Sequence, residues 1–108
     1  MLVGLQGIIG DIVRDALSER AVDIVGDLHD EDRLDATVTR VDADCVVWGV
    51  VQGDPPAFEL IASHPRLRVV SLEADGKRAF LYELRPARTP LGELSPTLLA
   101  AVVEAAVR

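Results

Sequence analysis

Hydrophobic positions in this chain form short apolar runs that alternate with stretches in which apolar residues recur every three or four positions. Residues 2–5 form the first run, and residues 8–17 follow it at the wider spacing. Residues 22–26 and then 34–41 repeat the arrangement. Short runs bounded by turn residues are typical of strands, and the wider spacing is typical of amphipathic helices. This part of the chain therefore predicts two consecutive strand–helix units.

The most strand-like segment comes next, at residues 44–51, and it is apolar on both faces. Such strands are typical of the centre of a parallel sheet that helices cover on each side. Residues 52–56 break the run, and Pro56 is well placed to begin a helix that ends at His64. Three strand–helix units in succession predict an open, mostly parallel sheet with right-handed crossovers.

The pattern changes after a fourth strand at residues 67–72. Asp75-Gly76 follows almost at once, and residues 79–84 form a fifth apolar run. Asp-Gly between two such runs is a strong hairpin signal, because both central residues of that turn favour positive φ. Residues 85–93 are rich in proline and glycine and are predicted to form a loop. Ser95-Pro96 has the composition of a helix start, and an apolar stripe follows it.

Together these elements predict one α/β domain over residues 1–108. The expected fold is a flavodoxin-like or receiver-like three-layer αβα arrangement. Its five-stranded sheet is mostly parallel, with the fourth and fifth strands as an antiparallel hairpin and a helix at the C-terminus. No repeat, low-complexity stretch or long linker divides the chain.

Composition and charge narrow the possible roles. The net charge is -7 and the isoelectric point is about 4.6, which disfavours direct binding to nucleic acid or to an anionic membrane. No apolar stretch approaches the roughly 18 residues of a membrane span, and no signal peptide pattern is visible, so we expect a cytoplasmic protein. The single cysteine, Cys45, lies in an apolar run and is expected to be a buried packing residue.

Three segments, residues 22–27, 44–49 and 64–70, together with the order of the elements, resemble the receiver domain of bacterial response regulators. The resemblance covers roughly the first 72 residues and the terminal helix. In that family an acidic pair after the first strand holds magnesium, and an aspartate at the end of the third strand takes the phosphoryl group. A Ser or Thr ends the fourth strand, and a lysine follows the fifth.

None of these groups is present at the matching positions of this chain. Leu5 and Gln6 stand where the acidic pair belongs, and Gly49 stands at the phosphorylation position. Leu72 or Glu73 ends the fourth strand, and no lysine follows the fifth. Neither Leu5 nor Gln6 supplies the carboxylate charge that magnesium needs. The resemblance therefore implies a degenerate receiver that phosphorylation does not switch.

A second pattern lies in the turn after the first strand. Gly4, Gly7 and Gly10, with Asp27 about twenty residues further on, resemble the dinucleotide-binding fingerprint. The fingerprint requires glycine where Leu5 stands. Two interpretations remain open: Gly7, Gly10 and Asp27 bind a nucleotide or another anion, or the glycines permit a tight turn and close helix packing.

Five residues are candidates for contact with a partner. Trp48 is expected near the end of the third strand, where it either fills the core or forms an exposed binding platform. Phe80 and Tyr82 lie on the hairpin, which presents a new sheet edge. Arg85 and Arg88 lie beside prolines on the following loop, where they either grip a carboxylate or phosphate or remain solvated.

No acid, base or nucleophile with an orienting partner can be assembled from this sequence, and we expect neither an enzyme nor a cofactor or metal site. The predicted function is a non-catalytic, pseudo-receiver protein-interaction module in signalling or regulation. We expect it to form a homodimer through the hairpin or the last helix. The alternative is a small-ligand or nucleotide sensor that binds at the glycine turn of residues 4–10.

Overall fold

Helices cover both faces of a six-stranded sheet in the computed structural model, which describes residues 1–51, 53–84, 88–93 and 95–107, with only the backbone of residues 88 and 89. In chain order the described strands are β1 (Leu2–Val3), β2 (Asp27–Leu28), β3 (Cys45–Val50), β4 (Arg68–Glu73), β5 (Ala79–Tyr82) and β6 (Arg88–Pro90). The described helices are α1 (Gly7–Ser18), α2 (Leu34–Val41), α3 (Ala57–Ser63) and α4 (Pro96–Ala106).

The strand order is β2-β1-β3-β4-β5-β6. The first four strands in this order are parallel, and β5 and β6 each run antiparallel to the strand before them. Strand β2 lies on one side of β1, and β3 lies on the other side. The predicted α/β class, the mostly parallel sheet and the antiparallel hairpin are confirmed, and the arrangement is compatible with a flavodoxin-like fold.

Two apolar cores lie on opposite faces of the sheet, because successive side chains along a strand point to opposite faces. Along β3, Cys45 and Val47 belong to the core beneath α1 and α4, while Val46 and Trp48 belong to the core beneath α2 and α3. Both sets are almost completely buried. This double burial explains why residues 44–51 lack the alternation of a half-exposed strand.

The predicted second strand at residues 22–26 is wrong. Pairing with β1 begins only at Asp27, which lies opposite Leu2. Ile24 and Val25 remain 40% and 46% exposed, so the apolar composition of this stretch is not matched by burial. The Gly26 carbonyl accepts a 2.8 Å hydrogen bond from the Leu2 N–H, which leads the chain into its short strand at the sheet edge.

The predicted loop at residues 85–93 contains a short sixth strand, which the prediction of a five-stranded sheet does not include. Pro90 of β6 lies opposite Phe80 of β5. Proline lacks an N–H donor, and in sheets it is tolerated at an edge, where no outer neighbour needs that donor. The outer edge of β5, which we expected to be free, is therefore covered by β6.

The turn between β4 and β5 is longer than a two-residue Asp-Gly turn. Gly76 has a φ of 74°, whereas Asp75 does not have the positive φ that we expected. The Glu73 N–H donates to the Arg78 carbonyl at 3.0 Å, and the Asp75 carboxylate accepts from the Lys77 N–H at 2.9 Å. The predicted hairpin is confirmed. Asp75 stabilises its turn through this side-chain hydrogen bond and not through a positive φ.

Helix α4 begins where the sequence predicts. The Ser95 hydroxyl oxygen accepts a hydrogen bond from the Leu98 N–H at 3.4 Å, and Pro96 occupies the first turn. The apolar stripe of the helix packs against α1 and the sheet, and its buried residues are Leu99, Ala100, Val103 and Ala106. In the described part of the chain, no helix combines the length and the apolar character needed to cross a bilayer.

Candidate functional site

The carboxyl ends of β1 and β3 border an open groove of about 290 Å³. In open parallel sheets, ligands bind at this end, near the strands between which the chain reverses its direction of winding. Most of the lining side chains are apolar, that of Gln6 is polar, and none is charged. The lining residues are Gly4, Leu5, Gln6, Ile9, Gly49, Val50, Val51, Leu72 and Ala74.

Gly4 and Gly49 bring the backbones of the two strand ends into unusually close contact. A Cβ atom on Gly49 would lie 2.6 Å from the Gly4 carbonyl oxygen, and one on Gly4 would lie 2.9 Å from the Gly49 carbonyl oxygen. Gly4 also has a φ of 67°. A side chain at Gly49, aspartate included, therefore requires the strand ends to separate. Glycine at this position is required by packing.

Two large aliphatic side chains are strongly exposed at this end of the sheet: Val51 lines the groove, and Ile8 precedes the lining residue Ile9 in α1. Ile8, in the first turn of α1, is 78% exposed, and Val51, directly after β3, is 88% exposed. From the sequence we assigned both residues to the apolar patterns of their elements, and we did not predict that they are exposed. A signal was available for Ile8, because it lies off the helical stripe formed by the buried residues Gly10, Val13 and Leu17.

The only charged side chain that is buried among the described residues belongs to Glu73, at the end of β4. Its Oε2 accepts a hydrogen bond from the Gly53 N–H at 3.2 Å, and its Oε1 lies 3.7 Å from the Arg78 Nε. The Arg78 guanidinium also lies 5.5 Å from the centre of the Phe80 ring. Glu73 thus ties the loop after β3 to the hairpin.

The glycine turn is open at Gly7 and closely packed at Gly10. A Cβ atom on Gly7, whose φ is 64°, would meet nothing within 4 Å. At Gly10, by contrast, a Cβ atom would lie 2.9 Å from the Leu5 carbonyl oxygen, so this glycine lets α1 pack closely onto the turn. Packing therefore explains Gly10, as the second interpretation of the glycines expects, and Gly7 leaves room beside the helix N-terminus.

Asp27 is connected to the glycine turn through hydrogen bonds of Arg14. The Asp27 carboxylate accepts two hydrogen bonds from Arg14, at 2.7 and 3.0 Å, and Arg14 also donates to the Leu5 carbonyl at 3.0 Å. The side-chain hydrogen bond to Asp27 raises the pKa of the Arg14 guanidinium. A ribose hydroxyl that bound Asp27 would compete with this bidentate pair.

Three of the proposed contact residues are part of the core. Trp48, Phe80 and Tyr82 are all buried on the α2–α3 side of the sheet. The Tyr82 hydroxyl donates to the Asp54 carboxylate at 2.8 Å, and its ring meets Phe58 edge to face with 5.3 Å between centroids. Trp48 therefore fills the core, and the aromatic candidates form no exposed platform.

Arg85 lies outside the described residues, and the description of Arg88 is limited to its backbone in β6. Whether they bind an anion stays a prediction.

Cys45 is buried, as the sequence predicts. Burial disfavours the thiolate and raises the pKa of the thiol to about 11. We expect the native thiol to resist an aromatic disulfide reagent at pH 8 and to react in urea. Rapid reaction of the native protein would contradict this burial.

The buried thiol should also make stability depend on pH. Because the folded state holds the thiol proton more tightly than the unfolded chain does, the free energy of unfolding should fall as the pH rises from about 9 to about 11.

Across the described ranges, no three side chains of His, Cys, Asp or Glu come together in a way that would hold a metal ion. Comparisons with protein-family models, with curated proteins and with solved structures found no match. The function must therefore be inferred from the surfaces of the molecule.

Proposed function

We propose that this chain is a non-catalytic protein-interaction module of receiver-like, flavodoxin-like fold, which acts in the cytoplasm and forms a homodimer. The contact surface that we propose, the carboxyl-end surface, consists of the groove at the ends of β1 and β3 together with Ile8 and Val51. The observation that carries the proposal is the exposure of Val51, which lines a groove without charged side chains, and of Ile8, which precedes the lining residue Ile9 in α1. Contiguous exposed apolar patches are typical of protein contacts.

Charge makes this surface the least costly place for a second copy of the chain to bind. Two molecules that each carry a net charge of -7 repel one another, and contact is least costly where neither presents a carboxylate. The groove lining meets this condition. Burying an aliphatic side chain such as Val51 is worth about 1.5–3 kcal/mol when the side chain is removed completely from water.

The dimer surfaces that we expected from the sequence are less available. The apolar stripe of α4 is buried against α1, and the outer edge of β5 is paired with β6. The proposed contact therefore moves to the carboxyl-end surface. In a receiver-like fold this is also the end at which phosphorylation would act, and the backbone contact at Gly49 leaves no space there for an acceptor side chain.

A small-ligand sensor is the second candidate, and the observation that favours it is the groove beside Gly4, Gln6 and the open space at Gly7. A thermal-shift panel of mononucleotides and dinucleotides tests this role. A ligand at a hundred times its dissociation constant stabilises a protein by about 2.7 kcal/mol. The absence of any shift at millimolar nucleotide would remove the nucleotide sensor.

The homodimer is tested by charge substitution at the exposed aliphatic side chains. Sedimentation velocity should show a dimer for the wild type, and Val51→Asp or Ile8→Asp should raise its dissociation constant at least about thirtyfold, because each variant buries a carboxylate in an apolar contact. Leu98→Asp is the matched control, since Leu98 is 41% exposed on α4 and does not line the groove. Unchanged assembly in Val51→Asp, or equal disruption by Leu98→Asp, would argue against the proposed contact.

A further inference from the structure

A second groove, of about 350 Å³, lies between α2 and α3. Its apolar residues are Leu34, Trp48, Pro56 and Leu60, and its polar residues are Glu31, Asp35, Glu59 and Ser63. We call it the α2–α3 groove. It shares no lining residue with the groove of the carboxyl-end surface, so its role does not depend on the proposed homodimer.

The polar residues of the α2–α3 groove give it a single sign of charge. Glu31 and Glu59 are exposed carboxylates, and neither lysine nor arginine lines the groove. Asp35 contacts the His64 ring, and its side chain remains 70% exposed. Carboxylates above apolar walls concentrate a negative potential, because the walls have a low dielectric constant.

We propose that the α2–α3 groove docks an arginine-bearing segment of a partner protein. An arginine side chain has a long apolar stem and a charged head, so the stem is able to lie along the exposed Pro56 while the head remains among the carboxylates. The planar guanidinium matches carboxylate geometry, and the groove supplies the carboxylates of Glu31, Asp35 and Glu59. An uncharged occupant would shield Glu31 and Glu59 from water without pairing them.

The chain contains a single tryptophan, and it lines this groove, so its indole N–H gives one resonance that reports on binding. The probe is a short blocked peptide in which glycines separate two arginines, titrated into isotope-labelled protein at low salt. We expect saturable shifts at the Trp48 indole and at the amides of Leu34 and Leu60. The same peptide with citrulline in place of arginine keeps the shape, loses the charge and should bind at least about fivefold more weakly.

Charge-neutral variants assign the binding to the groove. Glu31→Gln combined with Glu59→Gln should weaken binding of the arginine peptide about five- to tenfold. The matched control, Asp11→Asn combined with Asp15→Asn, removes the same charge from exposed positions of α1 and should change the affinity less than about twofold.

Three results would each overturn the proposal. The first is an absence of saturable shifts at the groove resonances of the wild-type protein. The second is equal weakening by the two double variants, which would show attraction to overall charge. The third is equal binding of the citrulline peptide, which would show that the charged head makes no contact. All three are independent of whether the protein is a dimer.

Discussion

Tyr82→Ala is expected to lower the free energy of unfolding by about 4 kcal/mol, as is usual when a large buried aromatic side chain is truncated. Tyr82 is 2% exposed, its ring contacts Phe58, and it belongs to the core beneath α2 and α3. Domains of this size are commonly stable by only about 5–15 kcal/mol, so urea unfolding should show a large loss.

Tyr82→Phe separates the ring from the hydroxyl. This variant removes the hydroxyl and with it the 2.8 Å hydrogen bond to the Asp54 carboxylate, and it should cost about 2 kcal/mol, as is usual for a hydrogen bond to a charged group. If Tyr82→Phe were as destabilising as Tyr82→Ala, the hydroxyl would be the main contributor and the packing of the ring would be secondary. A small loss in both variants would show that Tyr82 is not central to this core.

Gly49→Ala is expected to cost about 3 kcal/mol, since the new methyl group overlaps the backbone of the neighbouring strand end. The added carbon would lie 2.6 Å from the Gly4 carbonyl oxygen and 2.9 Å from a methyl group of Leu5. The ends of β1 and β3 must separate to accommodate it. Urea unfolding of the variant measures this cost directly.

Gly53→Ala is the matched control for the same change. Gly53 has a φ of 85°, but a Cβ atom there meets nothing within 4 Å. Alanine at this position should therefore cost only the backbone strain of the left-handed region, about 1 kcal/mol. If both alanine variants lost the same stability, the close contact between Gly4 and Gly49 would not be the reason for glycine at position 49.

The elements that could be predicted from the sequence are those whose local signals and burial agree. Residues 44–51 are apolar on both faces because each face of β3 lies beneath helices, and the structure places the strand at Cys45–Val50. Helix α4 combines an N-capping serine, a proline in the first turn and a buried stripe. In these segments the local preference and the tertiary packing favour the same structure.

The short edge strands could not be predicted, because pairing with a neighbour decides them. The stretch before β2 has strand-like composition, but the hydrogen bonds of β1 select Asp27 and Leu28. Strand β6 contains proline, which normally argues against a strand and is acceptable only at an edge. Neither short segment carries a pattern that identifies its partner.

The candidate surfaces were only partly visible in the sequence. The positions of Leu5, Gln6 and Gly49 at the carboxyl-end side of β1 and β3 could be predicted from the order of the elements. The exposure of Val51 could not, because an apolar residue at the end of an apolar strand is normally expected to be buried. The sequence also does not show that one groove brings together Glu31, Asp35 and Glu59, because this depends on how α2 and α3 pack in the folded chain.

Native mass spectrometry of the purified wild-type chain, beside Val51→Asp, tests self-association through the carboxyl-end surface most directly, since it reports assembly and any retained ligand together. We predict a wild-type dimer without added mass and a monomeric Val51→Asp. A dimer that persists in the variant would contradict the proposed surface. A wild-type monomer would contradict self-association, and added mass on that monomer would favour the sensor.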